Sequence, residues 1–395
     1  MAERIAITGL GIVSALGMNV QENLDSLIQK KSGIGQMEFI KSIHQAELPV
    51  GEIKKTDQQL AEYLNIPYQR TLTRTTILAM IAAKEAWLDS GNKNQEKSGI
   101  ISATTVAGMR TSEEHYVDFI KGEADGFFVD AHDAGNSTEN IADFLGINDF
   151  ITTISTACSS SANSLMLGAR LLRSNKLDRV IVGGTDVLSL FTINGFKSLM
   201  ILDKEACRSF DDTRAGLNLG EAAAFLVLVP ESKLSKDDKV YGYLQGFANA
   251  NDAFHQTASS PDGVGATLAM QNALKMAGLQ AKDIDYINAH GTATGNNDLS
   301  EGLAIMKIFG DQIPPVSSTK PYTGHTLAAA GAVEAVFACL AMKHNLIYPN
   351  LNFSKQMAEL SFSPNTELLQ TPVKYILSNS FGFGGNNSSV IFSRD

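Results

Sequence analysis

The stretch ISTACSSSANSLMLGARLLRSNKLDRVIVGGTD, residues 154–186, contains the pattern that decides the fold class. Its middle part, residues 159–172, repeats apolar side chains with the period of a helix that buries one face. The run RVIVGG that follows is typical of a strand covered on both faces. A strand end, a helix and a second strand in this order predict an α/β protein.

Short apolar runs that end in glycine or small polar residues recur along the 395 residues: IAITGLG, SGIISATT, AAAFLVLV, IDYINAHG and YILSNSFGFGG. We interpret them as buried strands, with helix-like segments such as residues 71–87 between them. A degenerate repeat is also visible, because ISTAC, a small-residue helix and VGGTD resemble the later series VSSTK, GHTLAAAGAVEAV and SFGFGGNN. The polar stretch 230–238 is the predicted joint between two similar halves, residues 1–236 and 237–395.

The composition argues against several classes of protein. The net charge is −10, from 32 Lys+Arg against 42 Asp+Glu, and no dense basic run occurs, so we expect no nucleic-acid partner. Three scattered cysteines offer neither a disulfide framework nor a metal-ligand spacing, which predicts no metal and a reducing, cytoplasmic location. The N-terminus lacks the pattern of a signal peptide, and no purely apolar run reaches the roughly 18 residues that span a membrane.

Cys158 is the first candidate for chemistry. A cysteine between a strand and a helix N-terminus lies where free backbone N–H groups and the helix dipole favour a thiolate. A buried, inert thiol is the alternative, and it is the interpretation that we prefer for Cys207 and Cys339.

Two of the seven histidines lie at the ends of predicted elements. His290 follows a strand in AHGTAT, and His325 precedes a small-residue helix in TGHTLAAAG. A nucleophilic cysteine with two imidazoles suggests thioester chemistry, in which the imidazoles hydrogen-bond a developing enolate oxygen. The alternative for each histidine is a residue with no catalytic role.

Three further features bear on the same site. Lys320, five residues before His325, is predicted to orient a histidine or to hold a carboxylate, with Glu334 as its partner; a solvated loop cation is the alternative. The glycine-rich NSFGFGGNN can form an oxyanion hole with its backbone N–H groups, or it can be a turn between strands. The early ITGLGIVSALG has the pattern G-x-G-x-x-S, so we predict a structural turn there and no dinucleotide site.

Together these motifs resemble the β-ketoacyl-acyl carrier protein synthases of the elongating type, which have the thiolase-like fold. The resemblance covers nearly the whole chain. It rests on four motifs in order: TACSSS at Cys158, AHGTAT at His290, SSTKPYTGHTLAAAGAVE with Lys320, His325 and Glu334, and GFGG at residues 382–385. It implies two βαβαβαββ-type halves packed as a layered α-β-α-β-α body.

The resemblance also implies a role for each matching residue. Cys158 is the acylated nucleophile, and His290 and His325 stabilise the enolate formed by decarboxylation. Lys320 orders His290, with Glu334 as its ion-pair partner. The other implied assignments are Phe383 as a gate residue whose N–H forms an oxyanion hole with that of Cys158, Thr292 and Thr294 as ligands of the phosphopantetheine arm, and Val106 as a wall of the acyl pocket.

The implied reaction is a decarboxylative condensation. An acyl group on Cys158 is joined to malonyl-acyl carrier protein, giving a 3-ketoacyl-acyl carrier protein and CO2, with no cofactor beyond the phosphopantetheine of the carrier protein. The carrier protein is the implied partner, and the implied assembly is a homodimer or a heterodimer with a chain-length-factor-like homologue. Arg70 and Arg74 are predicted either to face the carrier protein or to be ordinary solvated residues at a helix start.

Departures from the family pattern bear on the pathway. The loop after His290 reads GTATGNND, LGEAAA replaces LGEGAG, and Asn386 lies where GFGGTN has a threonine. These differences favour a specialised polyketide or polyene pathway over housekeeping fatty-acid elongation. Two alternatives stay open: a CoA-dependent thiolase, which needs a second active-site cysteine, and a non-catalytic chain-length partner, which typically lacks the nucleophile.

Overall fold

A computed structural model describes residues 3–91, 96–123 and 125–395. The strands of the first half are β1 (Ile5–Ser14), β2 (Ser98–Ala103), β3 (Phe150–Ile154), β4 (Arg179–Asp186) and β5 (Ala222–Pro230). The strands of the second half are β6 (Gly242–Asn251), β7 (Tyr286–Asn288), β8 (Val316–Ser317), β9 (Leu346–Ile347), β10 (Leu369–Gln370), β11 (Tyr375–Gly382) and β12 (Asn386–Ser393).

The helices lie between these strands. Those of the first half are α1 (Val20–Ile28), α2 (Asp57–Leu64), α3 (Arg74–Asp89), α4 (Met109–Ile120), α5 (Phe128–His132), α6 (Ala134–Leu145), α7 (Ser160–Arg173) and α8 (Leu190–Ser198). Those of the second half are α9 (Val264–Ala277), α10 (Gly295–Phe309), α11 (Lys320–Thr323) and α12 (Ala330–His344). Thr73 caps α3 by accepting a hydrogen bond from the Thr76 N–H, so this helix begins three residues later than the apolar pattern predicts.

Ten strands form one continuous sheet in the order β3-β2-β4-β5-β1-β6-β12-β11-β7-β8. The first five and the last five repeat the same arrangement in mirror order along the sheet. In the first half, β2 pairs in parallel with β3, and β4 pairs antiparallel with β5. In the second half, β7 pairs in parallel with β8, and β11 pairs antiparallel with β12. The halves join where β1 pairs antiparallel with β6, and the predicted joint lies in the connection between β5 and β6.

The helices form three layers around the two halves of the sheet. Helix α3 packs on β1 and β5, and α9 packs on β6 and β12. Helices α7 and α12 lie between the halves, where α7 packs on β4, α12 packs on β5 and β11, and the two helices touch. This is the predicted α-β-α-β-α layering, and the fold class is confirmed.

Gly9 and Gly11 of ITGLGIVSALG lie inside strand β1, so the prediction of a turn at these two glycines is wrong. The chain turns only after the strand, at residues 15 and 16, where Ser14 and Gly17 exchange backbone hydrogen bonds. A Cβ atom on Gly9 would lie 2.1 Å from the Ala86 carbonyl oxygen, and one on Gly11 would lie 2.0 Å from that of Ala82. Both carbonyls belong to α3. Glycine is therefore required at these positions because helix and strand backbones approach each other directly, and no change of chain direction is involved.

One helical stretch among the described residues, Leu327–His344, is long and apolar enough to cross a membrane. It contains α12, and 89% of it is buried inside the protein. The charged Glu334 lies within it, so the sequence contains no uninterrupted apolar run of this length here. Its burial between the halves of the sheet is that of a core helix.

Candidate active site

Cys158 lies in the sharp turn that joins β3 to α7. Ala157, the residue before it, has a φ of 53°, a left-handed conformation that is uncommon for a residue with a side chain. This turn places Cys158 just before the first residues of α7, with only 6% of its surface exposed. The sequence prediction of a cysteine at the junction of strand and helix matches this position.

Two backbone N–H groups, those of Phe383 and of Cys158 itself, interact with the Cys158 sulfur. Burial raises the pKa of this thiol to about 11, while the charge of Lys320 and the Phe383 N–H act in the opposite direction. A Cβ atom on Gly382 would lie 3.1 Å from the Cys158 nitrogen, so the glycine-rich turn and the cysteine turn are in backbone contact. The pair of N–H groups has the composition of an oxyanion hole.

His290 follows β7 and is held by its backbone. The Glu301 carboxylate accepts hydrogen bonds from the N–H groups of His290, at 2.9 Å, and Gly291, at 2.8 Å. Asn379 donates a third hydrogen bond, at 3.0 Å, to the same carboxylate. The buried His290 ring lies edge-on to that of His325, with 5.5 Å between ring centroids.

His325 has its tautomer set by the chain itself. The Leu327 N–H donates to His325 Nδ1 at 3.1 Å, so the neutral imidazole carries its proton on Nε2. The backbone of His325 is bonded on both sides, since its N–H donates to the Asn218 carbonyl and its carbonyl accepts from Gly220. The ring therefore offers the cavity a hydrogen-bond donor in a fixed position.

Lys320 and Glu334 form a buried ion pair beside the two histidines, with 2.6 Å between Nζ and Oε1. Burial lowers the pKa of His290 and of His325 well below the usual value, and the charge of Lys320 lowers both further. The side chain of Lys320 bonds to Glu334, as predicted, and acts on His290 through its charge. Both imidazoles are consequently neutral near pH 7.

The thiol of Cys158 and the imidazoles of His290 and His325 face one cavity of about 270 Å³. Cys158, His290 and His325 line it together with a polar wall and an apolar wall. The polar wall includes Thr292, Thr294, Asn296 and Asn297, and the apolar wall includes Phe196, Ile201, Leu217, Phe381 and Phe383. Thr292 and Thr294, predicted to hold the substrate arm, share a 2.9 Å hydrogen bond between their hydroxyls.

Phe383 lies at the boundary of the cavity, where its ring stacks on Phe196 with 5.6 Å between centroids. Val106 is not among the described lining residues of this cavity. It is buried, and its N–H donates to the Asp186 carboxylate at 2.9 Å. The ring of Phe383 can thus act as the predicted gate, and Val106 faces the core in this conformation.

Arg70 and Arg74 have different environments, although they are only four residues apart. The Arg70 side chain is 61% exposed and pairs with Asp125 at 2.5 Å. The Arg74 side chain is 2% exposed and pairs with Glu221 at 2.6 Å and Asp57 at 2.8 Å. The prediction that Arg74 faces a carrier protein is wrong, because it forms a core ion pair. That Arg70 faces the carrier protein stays a prediction.

Two buried carboxylates that support the site were not identified from the sequence. Asp186, at the end of β4, accepts hydrogen bonds from the N–H of Val106 at 2.9 Å and from that of Ala328 at 2.8 Å. Glu301 holds His290 as described above. The position of Asp186 directly after the buried run RVIVGGT was a usable signal, because polar residues at strand ends often serve active sites.

Within residues 3–91, 96–123 and 125–395, no cluster of three or more His, Cys, Asp or Glu side chains could hold a metal ion. What the cavity offers is a thiol, two backbone N–H donors and two neutral imidazoles. That set suits transfer of an acyl group from a thioester and stabilisation of an enolate.

Two family models match the chain. The β-ketoacyl synthase N-terminal domain matches residues 2–233, and the β-ketoacyl synthase C-terminal domain matches residues 241–354. The 3-oxoacyl-[acyl-carrier-protein] synthase 2 of Coxiella burnetii is 32% identical, over 99% of this chain and 98% of its own. The enzyme of the same name from Staphylococcus aureus strain N315 is 31% identical over the same shares.

Solved structures resemble the chain over its full length. The ishigamide ketosynthase/chain length factor has a TM-score of 0.92 and 27% identity, and the match covers 100% of both chains. The ketosynthase ApeO, solved in complex with its chain length factor ApeC from Xenorhabdus doucetiae, has a TM-score of 0.86 and 30% identity. That match covers 100% of this chain and 98% of ApeO. The chain belongs to the β-ketoacyl synthase family of condensing enzymes.

Proposed function

We propose that this β-ketoacyl-acyl carrier protein synthase is a catalytic ketosynthase that extends an acyl chain held on Cys158 with a malonyl unit delivered by an acyl carrier protein. The observation that carries the proposal is that one cavity is lined by the thiol of Cys158 and by the imidazoles of His290 and His325. The names of the curated relatives include the acyl carrier protein, and one structural neighbour is a ketosynthase bound to one. The phosphopantetheine arm of that partner would deliver both substrates past Thr292 and Thr294.

The first half-reaction is transfer of the acyl group. The Cys158 sulfur attacks the thioester carbonyl, and the N–H groups of Cys158 and Phe383 hold the oxygen as it gains negative charge. The bond between the acyl carbon and the pantetheine sulfur then breaks. The proton of the Cys158 thiol ends on that departing sulfur, so the charge balances.

The second half-reaction is decarboxylation and condensation. Malonyl thioester loses CO2, and the electrons of the broken carbon–carbon bond form an enolate. The Nε2–H of His325 donates to the enolate oxygen, and His290 lies beside it. The enolate carbon attacks the acyl carbon on Cys158, and the thiolate of Cys158 leaves and regains a proton.

Both alternatives from the sequence are disfavoured by the contents of the cavity. A thiolase needs a second cysteine at the reacting centre, yet among the described residues Cys207 and Cys339 lie outside the cavity lining. A non-catalytic chain-length partner typically lacks the nucleophile, whereas this cavity has the cysteine and both histidines, with the ion pair beside them. Cys158, His290, His325 and Lys320 are all present.

The proposed pathway is a specialised polyketide or polyene assembly line. The three departures in GTATGNND, LGEAAA and GFGGNN favour it. The resemblance, over the full length of both chains, to a structure named as a ketosynthase with a chain length factor supports an assembly line in which such a factor takes part. A cytoplasmic location stays part of the proposal.

The proposed assembly is a dimer, with a second copy or with a chain-length-factor-like homologue. Strand β3 is an edge of the ten-stranded sheet, and its Ile151 is 38% exposed. Helix α4 exposes Val117 at 56% and Ile120 at 65% and buries none of its residues. An unpaired strand edge and an exposed apolar helix are each the kind of surface that another subunit covers.

An elongation assay tests the function. Purified protein, malonyl-acyl carrier protein and a panel of saturated, unsaturated and aryl acyl primers are combined, and the products are read by mass spectrometry. We expect extension of unsaturated or aryl primers. Extension of saturated primers alone would move the enzyme to fatty-acid synthesis, and absence of extension from any primer, with or without a partner subunit, would contradict the function.

Substitution of the nucleophile separates the two half-reactions. We expect Cys158→Ala to abolish condensation, because no acyl-enzyme can form. Cys158→Gln should retain malonyl decarboxylation without elongation, because the histidines remain and the amide resembles an acylated cysteine. Elongation by either variant would refute the assignment of Cys158.

A further inference from the structure

A cluster of amide and hydroxyl side chains lies beside the catalytic cavity without lining it. We call it the amide cluster, and its members are Ser159, Asn163, Asn249, Asn386 and Ser388. They come from α7 and the residue before it, from β6 and from β12. None of these described side chains is part of the cavity wall, so the reaction derived above does not use them.

Asn386 is the centre of the amide cluster. Its Oδ1 accepts from Asn249 Nδ2 at 2.6 Å, from Ser159 Oγ at 2.7 Å and from Asn163 Nδ2 at 3.3 Å. Asn249 Nδ2, which has two hydrogens to donate, also lies within hydrogen-bond distance of Asn163 Oδ1, at 3.1 Å, and of Ser388 Oγ, at 2.9 Å. One amide oxygen therefore joins three segments that are far apart in the sequence.

Two of those segments carry the donors of the oxyanion hole. Ser159 directly follows Cys158, and Asn386 is three residues after Phe383. The N–H groups of Cys158 and Phe383 both lower the pKa of the Cys158 thiol, and Gly382, next to Phe383, is in backbone contact with Cys158. The bond from Ser159 to Asn386 thus crosses between the two backbone segments whose separation decides the spacing of the donors.

The turn that carries Phe383 is held on two sides. Gly384 and Gly385, with φ values of 78° and 74°, are bonded to the end of β6 and the loop after it, since the Gly384 carbonyl accepts from Asn251 Nδ2 at 2.8 Å and the Gly384 N–H donates to the Gln256 carbonyl at 2.7 Å. Beyond this pair, Asn386 is the first residue with a side chain that can anchor the turn. A hydrogen bond to Ser159 there restricts movement of Phe383 relative to Cys158.

We propose that Asn386 is a positioning residue that sets the geometry of the oxyanion hole through its hydrogen bond to Ser159. The inference rests on the proposed function, because it concerns the acyl-transfer half-reaction described above. In that step the Cys158 sulfur bonds to the acyl carbon, the donor's carbon–sulfur bond breaks, and the thiol proton ends on the departing sulfur. Asn386 touches none of these atoms and acts through the position of the Phe383 N–H.

The test compares the two half-reactions in Asn386→Ala. Acylation of Cys158 from an acyl-carrier protein is followed by intact mass, and we expect kcat for acylation to fall about tenfold or more with KM nearly unchanged. Malonyl decarboxylation is measured in the Cys158→Gln background with and without Asn386→Ala. There we expect rates within about twofold, because the enolate is held by histidine side chains and not by the Phe383 N–H.

Three further variants test whether the effect of Asn386→Ala comes from the loss of its hydrogen bond to Ser159. Asn386→Asp keeps an acceptor oxygen and should acylate within about threefold of the wild type. Ser159→Ala removes the other end of the bond, and if both residues act through it, the double variant should be no slower than the slower single variant. Asn140→Ala is the matched control, since this amide bonds only within α6, to the Asn136 carbonyl and side chain, and its rate should equal that of the wild type.

Unchanged acylation in Asn386→Ala would overturn the proposal, and so would equal losses in both half-reactions, which would indicate a general distortion of the site. If Asn386→Ala does not fold by circular dichroism, Ser159→Ala carries the same comparison. A wild-type protein that is never acylated would refute the proposed function itself, and with it this inference. A normal wild type with unaffected variants would refute this inference alone.

Discussion

The imidazole of His325 has one of its two nitrogens occupied before any substrate binds. Because Nδ1 accepts from the Leu327 N–H, only Nε2 is available to the cavity. His325→Asn places an amide oxygen near the position of Nδ1, so the backbone contact can persist while the Nε2–H is lost. We expect decarboxylation to fall by about 10²-fold or more while acylation of Cys158 continues.

The measurement for His325→Asn is a pair of rates, CO2 release from malonyl-carrier protein and acylation followed by intact mass. His344→Asn is a suitable control, because this histidine is the last residue of α12 and does not line the cavity. Decarboxylation by His325→Asn at the wild-type rate would show that the Nε2–H is not the donor to the enolate.

The two active-site histidines also make stability depend on pH. Their pKa values are lowered in the native protein, so below about pH 6.5 the unfolded chain binds two protons that the native protein does not. The free energy of unfolding should therefore fall as the pH drops through this range. Each histidine should contribute about 1.4 kcal/mol per pH unit.

Denaturant unfolding at pH 7.5, 6.5 and 5.5 tests this pH dependence. The double variant His290→Asn/His325→Asn provides the reference, because it keeps every other titrating group, including the buried Glu301 with its pKa raised by burial to about 7. We expect the wild type to lose stability relative to this variant as the pH falls. Parallel curves would mean that the two histidines have the same pKa values in the native protein as in the unfolded chain, which would contradict the shift.

At the scale of elements, Arg70 lies before the start of α3 and is exposed, whereas Arg74 is the first residue of this helix and is buried. Burial opposes ionisation of Glu221, but the charge of Arg74 outweighs it and the pKa of this carboxyl is lowered. Glu221 also accepts from the Ile53 N–H, so the pair links α3 to the segment before α2 and to the start of β5. Arg74→Met leaves a buried carboxylate without its partner and should destabilise the protein by about 3–5 kcal/mol.

Arg70→Glu is the matched comparison, because the Arg70 side chain is exposed and its pair with Asp125 lies at the surface. We expect its denaturation midpoint to match that of the wild type and its KM for carrier protein to rise. Denaturation curves and carrier-protein titrations separate the two effects. An unchanged KM in Arg70→Glu would show that Arg70 does not contact the carrier protein. An unchanged denaturation midpoint in Arg74→Met would show that the ion pair between Arg74 and Glu221 does not stabilise the protein.

At the scale of the whole molecule, the sheet ends at β3 with an open edge. If a second subunit covers this edge, a charge placed in it should weaken the dimer. We expect Ile151→Lys to raise the dimer dissociation constant about tenfold or more. Light scattering after size-exclusion chromatography measures the mass of each species across a concentration series.

Leu88→Lys is the control for the dimer experiment, since Leu88 is 68% exposed on α3 at a different surface. It should leave the dimer intact. Dimers of equal strength in Ile151→Lys and Leu88→Lys would place the interface elsewhere, and a monomeric wild type would contradict the proposed assembly.

The fold class, and the three residues that line one cavity with groups suited to chemistry, could be predicted from the sequence alone. Cys158, His290 and His325 each lie at the end of a strand or the start of a helix, inside short motifs whose residues are consecutive. Such local patterns are readable without contacts, because element ends and their backbone N–H groups follow from neighbouring residues. The repeat of two similar halves was visible for the same reason.

The tertiary structure decided what depends on residues far apart in the chain. Arg74 is in the core because Glu221, 147 positions later, meets it there, and Asn386 is bonded to the segment of Cys158 because Ser159, 227 positions earlier, lies beside it. Gly9 belongs to a strand and not to a turn because α3 packs against its Cα. Burial, ion pairing and close backbone approach are properties of pairs of segments, so only the folded chain reveals them.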